Sequence, residues 1–271
     1  MSDSGAARRQ LYLERMGIDL WLPRHGGASA PAEPVRPATA ALAVAQVAPA
    51  PQQPQQPQQP QAAVEEVPVP AAGLDWEALR TQVAGCRACD LCETRTQTVF
   101  GVGQRRTRLM VIGEAPGADE DLQGEPFVGR AGQLLNGMLF AMGWPRDKVY
   151  IANILKCRPP HNRDPQPLEV AACMGYLLRQ LELVQPDLIL AVGRIAAQNL
   201  LQTEAPIGKL RGVVHRFGDR RLPLVVTYHP AYLLRSPREK ARAWQDLKLA
   251  RSVLEASVAV SESASGTIVQ S

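Results

Sequence analysis

The stretch RLMVIGEAPGADED, residues 108 to 121, decides the fold. Its first half is an apolar run of strand length, and its second half turns on Gly113, Pro116 and Gly117. A run of this kind is buried on both faces only when helices cover both sides of a sheet. Three further runs repeat it: VYIANIL at 149–155, DLILAVG at 187–193 and LPLVVTY at 222–228. Between them lie RAGQLLNGMLFAMG, PLEVAACMGYLLRQLELV and RIAAQNLL, each with apolar residues recurring near every 3.6 positions. The alternation predicts a three-layer α/β/α fold with a central, mainly parallel four-stranded sheet. A helix beginning at DWEALRTQVAGC, with Asp75 as its N-cap, precedes the first strand.

In such sheets ligands bind beyond the carboxyl ends of the strands. The first strand ends in GEAPGADED (113–121), the second in Asn153 and Cys157, the third in Gly193 and the fourth in HPAYLLRSP (229–237). The Gly113 to Gly117 turn lets backbone N–H groups come close to a ligand oxygen. It lacks the Lys-Ser/Thr ending of a P-loop and the spacing of a dinucleotide fingerprint, which counts against both classes. Asn153 carries an acceptor and two donors, enough to read a ring edge that presents one donor and one acceptor, as a pyrimidine does. His229 directly follows a strand and faces the same edge, which makes it a candidate catalytic group.

The five cysteines are Cys86, Cys89, Cys92, Cys157 and Cys173. Cys86 and Cys89 form a C-x2-C knuckle, whereas Cys157 stands in NILKCRPPHNRDP (153–165), beside two prolines and without a near partner. Four thiolates suit either tetrahedral zinc or an iron-sulfur cluster, and spacing alone leaves both open. Cys92 reads as a core residue, with a substitute ligand as the alternative.

Outside the core, residues 1–25 contain a short helical pattern (Leu11, Leu13, Met16, Trp21) suited to docking on a protein partner. Residues 26–74 are rich in Pro, Gln and Ala and read as a disordered linker. The folded domain is placed at 75–255 and a disordered tail at 256–271. No stretch reaches the roughly 18 apolar residues of a membrane span, and the N-terminus has no signal-peptide core. A cytoplasmic chain with reduced thiols is expected. Net charge is only +4, yet residues 209–251 hold eleven Lys and Arg against three acids, the footprint of a polyanion-binding face.

Together, C-x2-C, RTQTVFGVG, GEAPGADEDLQGEPFVGRAGQLLN, NILKCRPPHNRDP and HPAYLLRSP, in this order over about residues 75–250, resemble the family 4, iron-sulfur, uracil-DNA glycosylases. The resemblance implies a monomeric DNA-repair hydrolase that flips uracil out of DNA and leaves an abasic site. It implies a 4Fe-4S cluster on Cys86, Cys89, Cys157 and Cys173. It implies a base pocket formed by Gly113, Ala115, Gly117, Glu120, Phe127 and Asn153, with Phe127 stacking on the base and Asn153 pairing with uracil N3–H and O4. His229 and the turn's N–H groups would stabilise the leaving anion, Glu114 would orient water, and Glu120 would crowd the thymine methyl group. Leu233 and Arg235 would fill the gap in the DNA and hold its phosphates. Two alternatives stand beside this reading: an inactive iron-sulfur DNA-binding accessory protein, and a covalent uracil trap using HRFGDRR (215–221), which resembles the basic loop of a related branch.

Overall fold

A computed structural model describes residues 71–265, with side chains as far as residue 257. The docking peptide and most of the linker therefore lie outside the described residues. Helix α1 (Trp76–Ala84) starts where Asp75 Oδ1 accepts the Ala78 N–H at 2.9 Å, as the cap signal predicts. A short turn of helix, α2 (Leu91–Thr94), carries Cys92. The chain then runs through β1 (Val102–Gly103), β2 (Leu109–Gly113), α3 (Ala118–Gln123), α4 (Arg130–Met142) and β3 (Tyr150–Asn153). It continues through α5 (Pro167–Val184), β4 (Leu188–Val192), α6 (Arg194–Leu201), α7 (Ile207–Leu210), β5 (Val214–Phe217), β6 (Leu222–Thr227), α8 (Pro230–Arg235) and α9 (Lys240–Ser265).

The sheet has six strands in the order β1-β3-β2-β4-β6-β5. Its four inner strands are parallel and match the four apolar runs. The two outer strands are antiparallel additions. Strand geometry sends alternate side chains to opposite faces. Val111, Leu190 and Val225 therefore pack on one side with α4 and α9. Met110, Ile189 and Val226 pack on the other with α5 and α6. A third cluster joins Leu79, Val83, Phe100 and Tyr176 beside α1.

Two boundaries differ from expectation. Ala71 is buried in the third cluster and Arg179 Nε donates to Leu74 O at 2.6 Å, so the folded domain begins before residue 75. The C-terminal helix continues to Ser265, so the tail placed at 256–271 is helical for its first ten residues. Among the described residues, no helix is long and apolar enough to cross a membrane.

From β2 the chain goes to β3 on one side and then crosses to β4 on the other. This reversal opens a crevice at the carboxyl ends of the inner strands, where α/β sheets bind ligands. Register sets Gly113 directly beside Asn153. His229 follows β6 by one residue and is the N-cap of α8.

Candidate functional site

A cavity of about 380 Å³ opens at this edge, and its walls include Glu114, Ala115, Gly117, Glu120, Phe127, Asn153, His229 and Arg235. The candidate residues from separate strands therefore do meet, with two exceptions. Gly113 does not line the cavity but lies against Asn153 and Phe127, which do. Leu233 is 0% exposed and belongs to the core cluster. It sits on the face of α8 opposite Ala231, which lines the cavity, so it is no wedge. Leu234, 37% exposed, lies on the Ala231 side of that helix. Sequence reasoning also missed Pro159, Asn162 and Arg163, which supply one wall from the loop after Cys157.

Gly113 is required by crowding: a Cβ there would collide with Asn153 Oδ1 and with the Phe127 ring. Asn153 itself is 1% exposed, and its Oδ1 has no hydrogen-bond partner. An unpaired buried oxygen costs about 1–3 kcal/mol, so it is kept only where something compensates. Two other buried oxygens also lack a partner in this arrangement, Thr227 Oγ1 and Asp246 Oδ1. The Thr227 hydroxyl lies within reach of the Asp246 carboxylate, so a hydroxyl rotation satisfies both.

His229 Nδ1 accepts the Ala231 N–H at 3.1 Å. That bond fixes the tautomer, because an accepting Nδ1 leaves the hydrogen on Nε2. Burial, with Arg235 nearby, pulls the imidazole down to about 4, while Glu120 opposes the shift. At neutral pH the ring is therefore uncharged and carries a single N–H donor. Its centroid lies 5.7 Å from that of Phe127, with the planes 33° apart. Burial and then the Asp164 carboxylate push Glu114 up to about 7, against the pull of Arg194. Arg194 in turn pairs with Asp164 at 2.6 Å.

Glu120 has an occupation beyond the one expected. Its carboxylate accepts the N–H groups of Gly117 (3.1 Å), Val128 (2.9 Å) and Gly129 (3.2 Å), stapling the glycine turn to the Phe127 loop. The Gly117 N–H is thus committed and is not free to meet a ligand anion.

The thiols of Cys86, Cys89, Cys157 and Cys173 come from α1's exit, the following loop, the end of β3 and α5, and they lie within one another's electrostatic field. Burial pushes Cys157 up to about 11 and Cys173 up to about 12. Two basic groups stand beside them. Arg95 Nη1 donates to Cys157 Sγ at 2.9 Å, and burial pulls the Lys156 amine down to about 7, against the opposing effect of Cys173 and Cys157. Among the described residues, no three His, Cys, Asp or Glu side chains gather closely enough to hold one metal ion. Cys92 is half-buried on α2 and joins none of the three core clusters, contrary to its reading as a core residue.

The basic run at 209–251 is not one free face. Arg211 pairs with the buried Asp246 and stacks over Tyr228 at 4.1 Å, Lys240 is buried, and Arg242 and Arg251 pair with Glu239 and Glu255. The segment 215–221 forms β5 and its hairpin turn, and His215 Nε2 bonds Leu210 O at 2.7 Å, away from the cavity.

With this geometry in hand, comparison with known proteins is informative. The family model of the uracil DNA glycosylase superfamily matches residues 100–248. A type-4 uracil-DNA glycosylase of Archaeoglobus fulgidus is 47% identical over 174 residues, 62% of this chain and 87% of that protein. One from Thermotoga maritima is 41% identical over 183 residues, covering 66% of this chain and 94% of that protein. A type-5 uracil-DNA glycosylase of Pyrobaculum aerophilum is 35% identical over 150 residues, 48% of this chain and 64% of that protein. The chain belongs to the uracil-DNA glycosylase superfamily, and within it to the type-4 uracil-DNA glycosylases.

Proposed function

We infer that this protein is a uracil-DNA glycosylase of DNA repair, which takes uracil out of the DNA stack and hydrolyses its N-glycosidic bond. The observation that carries the reading is the unpaired Asn153 Oδ1 in the wall of the cavity. Uracil N3–H is the donor it lacks, and the amide NH2 reaches uracil O4. Cytosine presents an acceptor at N3 and donors at N4, so the buried amide would face like against like.

Flipping the base costs a few kcal/mol, which stacking on Phe127 and phosphate contacts from Arg235 offset. As the bond between C1′ and N1 breaks, its electron pair moves into the uracil ring and positive charge grows on the sugar. The neutral His229 donates its Nε2–H toward O2 and stabilises the departing anion. Glu114, in its carboxylate form, takes a proton from the water that adds to C1′. Glu120 holds the pocket together through backbone N–H groups, and its carboxylate crowds a substituent at C5. The displaced position of His215 favours hydrolysis over covalent trapping on that residue.

Cys86, Cys89, Cys157 and Cys173 would hold a 4Fe-4S cluster. The donor set supports it: four thiols, two of them deeply buried, beside the Arg95 guanidinium and the Lys156 amine, suit an anionic inorganic group larger than a single ion. Held by these residues, the group would link the segment after β3 to the N-terminal knuckle. We further place the enzyme in the cytoplasm as a monomer acting on DNA, with residues 1–25 as a docking peptide for a protein partner.

The test is excision of uracil from an oligonucleotide, followed by alkali. Strand breakage by the wild-type protein that is lost in His229→Ala supports the enzyme. Binding without breakage would make it the inactive accessory protein instead.

A further inference from the structure

Phe127 has φ +55°, a left-handed conformation that a residue with a bulky side chain rarely adopts. Residues held this way persist only where the surroundings over-determine them, and they cluster at binding sites. The surroundings here are specific. Arg146 Nη2 donates to Pro126 O at 2.7 Å, and Nη1 donates to Phe127 O at 3.2 Å and to Asn136 Oδ1 at 3.3 Å. From the other side Glu120 accepts the next two N–H groups, those of Val128 and Gly129. Gly132 on α4 leaves the space for the Phe127 carbonyl, since a Cβ there would collide with it.

Arg146 does not touch the base cavity. It lies in the turn Arg146–Lys148 that leads into β3, and it lines a separate outer groove with Asn136 and Phe140. We propose that Arg146 is a positioning residue, whose guanidinium grips two successive carbonyls and so holds the Phe127 ring in its stacking pose against the flipped base. The proposal rests on the reading of Phe127 as the stacking ring. A lysine cannot replace it, because the grip needs two N–H groups in a fixed planar fork. The same turn starts the strand that ends in Asn153, so ring and amide are set from one base.

A double-mutant cycle on the full-length, cluster-containing protein tests this. Single-turnover uracil excision is measured for wild type, Arg146→Gln, Phe127→Ala and the double variant, alongside affinity for a uracil-free oligonucleotide. Arg146→Gln is expected to slow excision about tenfold, within the range of one base–aromatic stack. In the Phe127→Ala background the same change should cost less than about twofold, and affinity for uracil-free DNA should stay put. Losses that multiply in the double variant, or weakened binding of uracil-free DNA, would overturn the proposal. If Arg146→Gln does not fold, Arg146→Lys, which keeps the charge and loses the fork, goes through the same cycle. Wild-type protein that removes no uracil would strike the glycosylase reading itself, whereas an active wild type with an uncoupled cycle strikes Arg146 alone.

Discussion

Asn153 and Lys156 stand three residues apart at the end of β3, both 1% exposed, and the protein treats them in opposite ways. The Lys156 ammonium has two acceptors, Asn153 O at 2.8 Å and Gln180 Oε1 at 2.7 Å. Gln180 completes the set by donating to Phe100 O and to the Tyr150 hydroxyl. The Asn153 side-chain oxygen has nothing. A fold able to satisfy a buried lysine could satisfy an amide more easily, which supports our proposal that a ligand supplies the missing partner. On that reading one site serves stability and its neighbour recognition.

Substitutions can break this contrast. The largest effect is expected on catalysis: Asn153→Ala and His229→Ala should each slow uracil excision by about 10²–10³-fold, as loss of a transition-state donor or a specificity contact does. Thermal unfolding of Asn153→Ala should shift little, because the lost oxygen has no hydrogen-bond partner among the described residues. A large drop in its Tm would erase the distinction between the two sites. Leu233 and Leu234 repeat the contrast on α8. Leu233→Ala should destabilise by about 2–5 kcal/mol in denaturant titration. Leu234→Ala should change stability by less than about 0.5 kcal/mol while reducing excision from duplex DNA, as expected of an apolar wedge.

Gln180→Leu should cost about 2–3 kcal/mol, since Lys156 and two further polar groups lose a buried partner. Uracil excision measured well below its Tm should stay near the wild-type rate. A graded effect is expected on pH dependence. With Glu114 pushed up to about 7, its working carboxylate form disappears as pH falls through 7. The excision rate should then drop by up to tenfold per pH unit below that point, and Glu114→Gln should flatten the profile. His229, pulled down to about 4, stays neutral across this range and adds no second limb.

The inner sheet was legible because burial on both faces leaves unbroken apolar runs, and LMVIG, YIAN, LILAV and LPLVVT became strands almost as read. The edge strands were not. Val102–Gly103 is two residues long, and Val214–Phe217 alternates half-buried with exposed positions, so neither produces such a run. In the site, the positions of Gly113, Glu114, Asn153 and His229 were legible because each ends, or lies within two residues of the end of, a strand whose direction was already known. Leu233 was misassigned because a short helix gives no phase from sequence alone, and one position separates core from surface there. The roles of Glu120 and Arg146 depend on backbone groups, whose positions only the folded chain sets. Likewise the basic run hid which cations face Asp246, Glu239 and Glu255.

The most direct test of the account compares single-turnover excision of uracil and of 3-methyluracil from otherwise identical single-stranded oligonucleotides, by wild type and Asn153→Ala. The methyl group removes the one donor that the buried amide oxygen lacks. Wild type should favour uracil by at least about a hundredfold, and Asn153→Ala should lose most of that preference. Equal rates on both bases with the wild-type protein would contradict it.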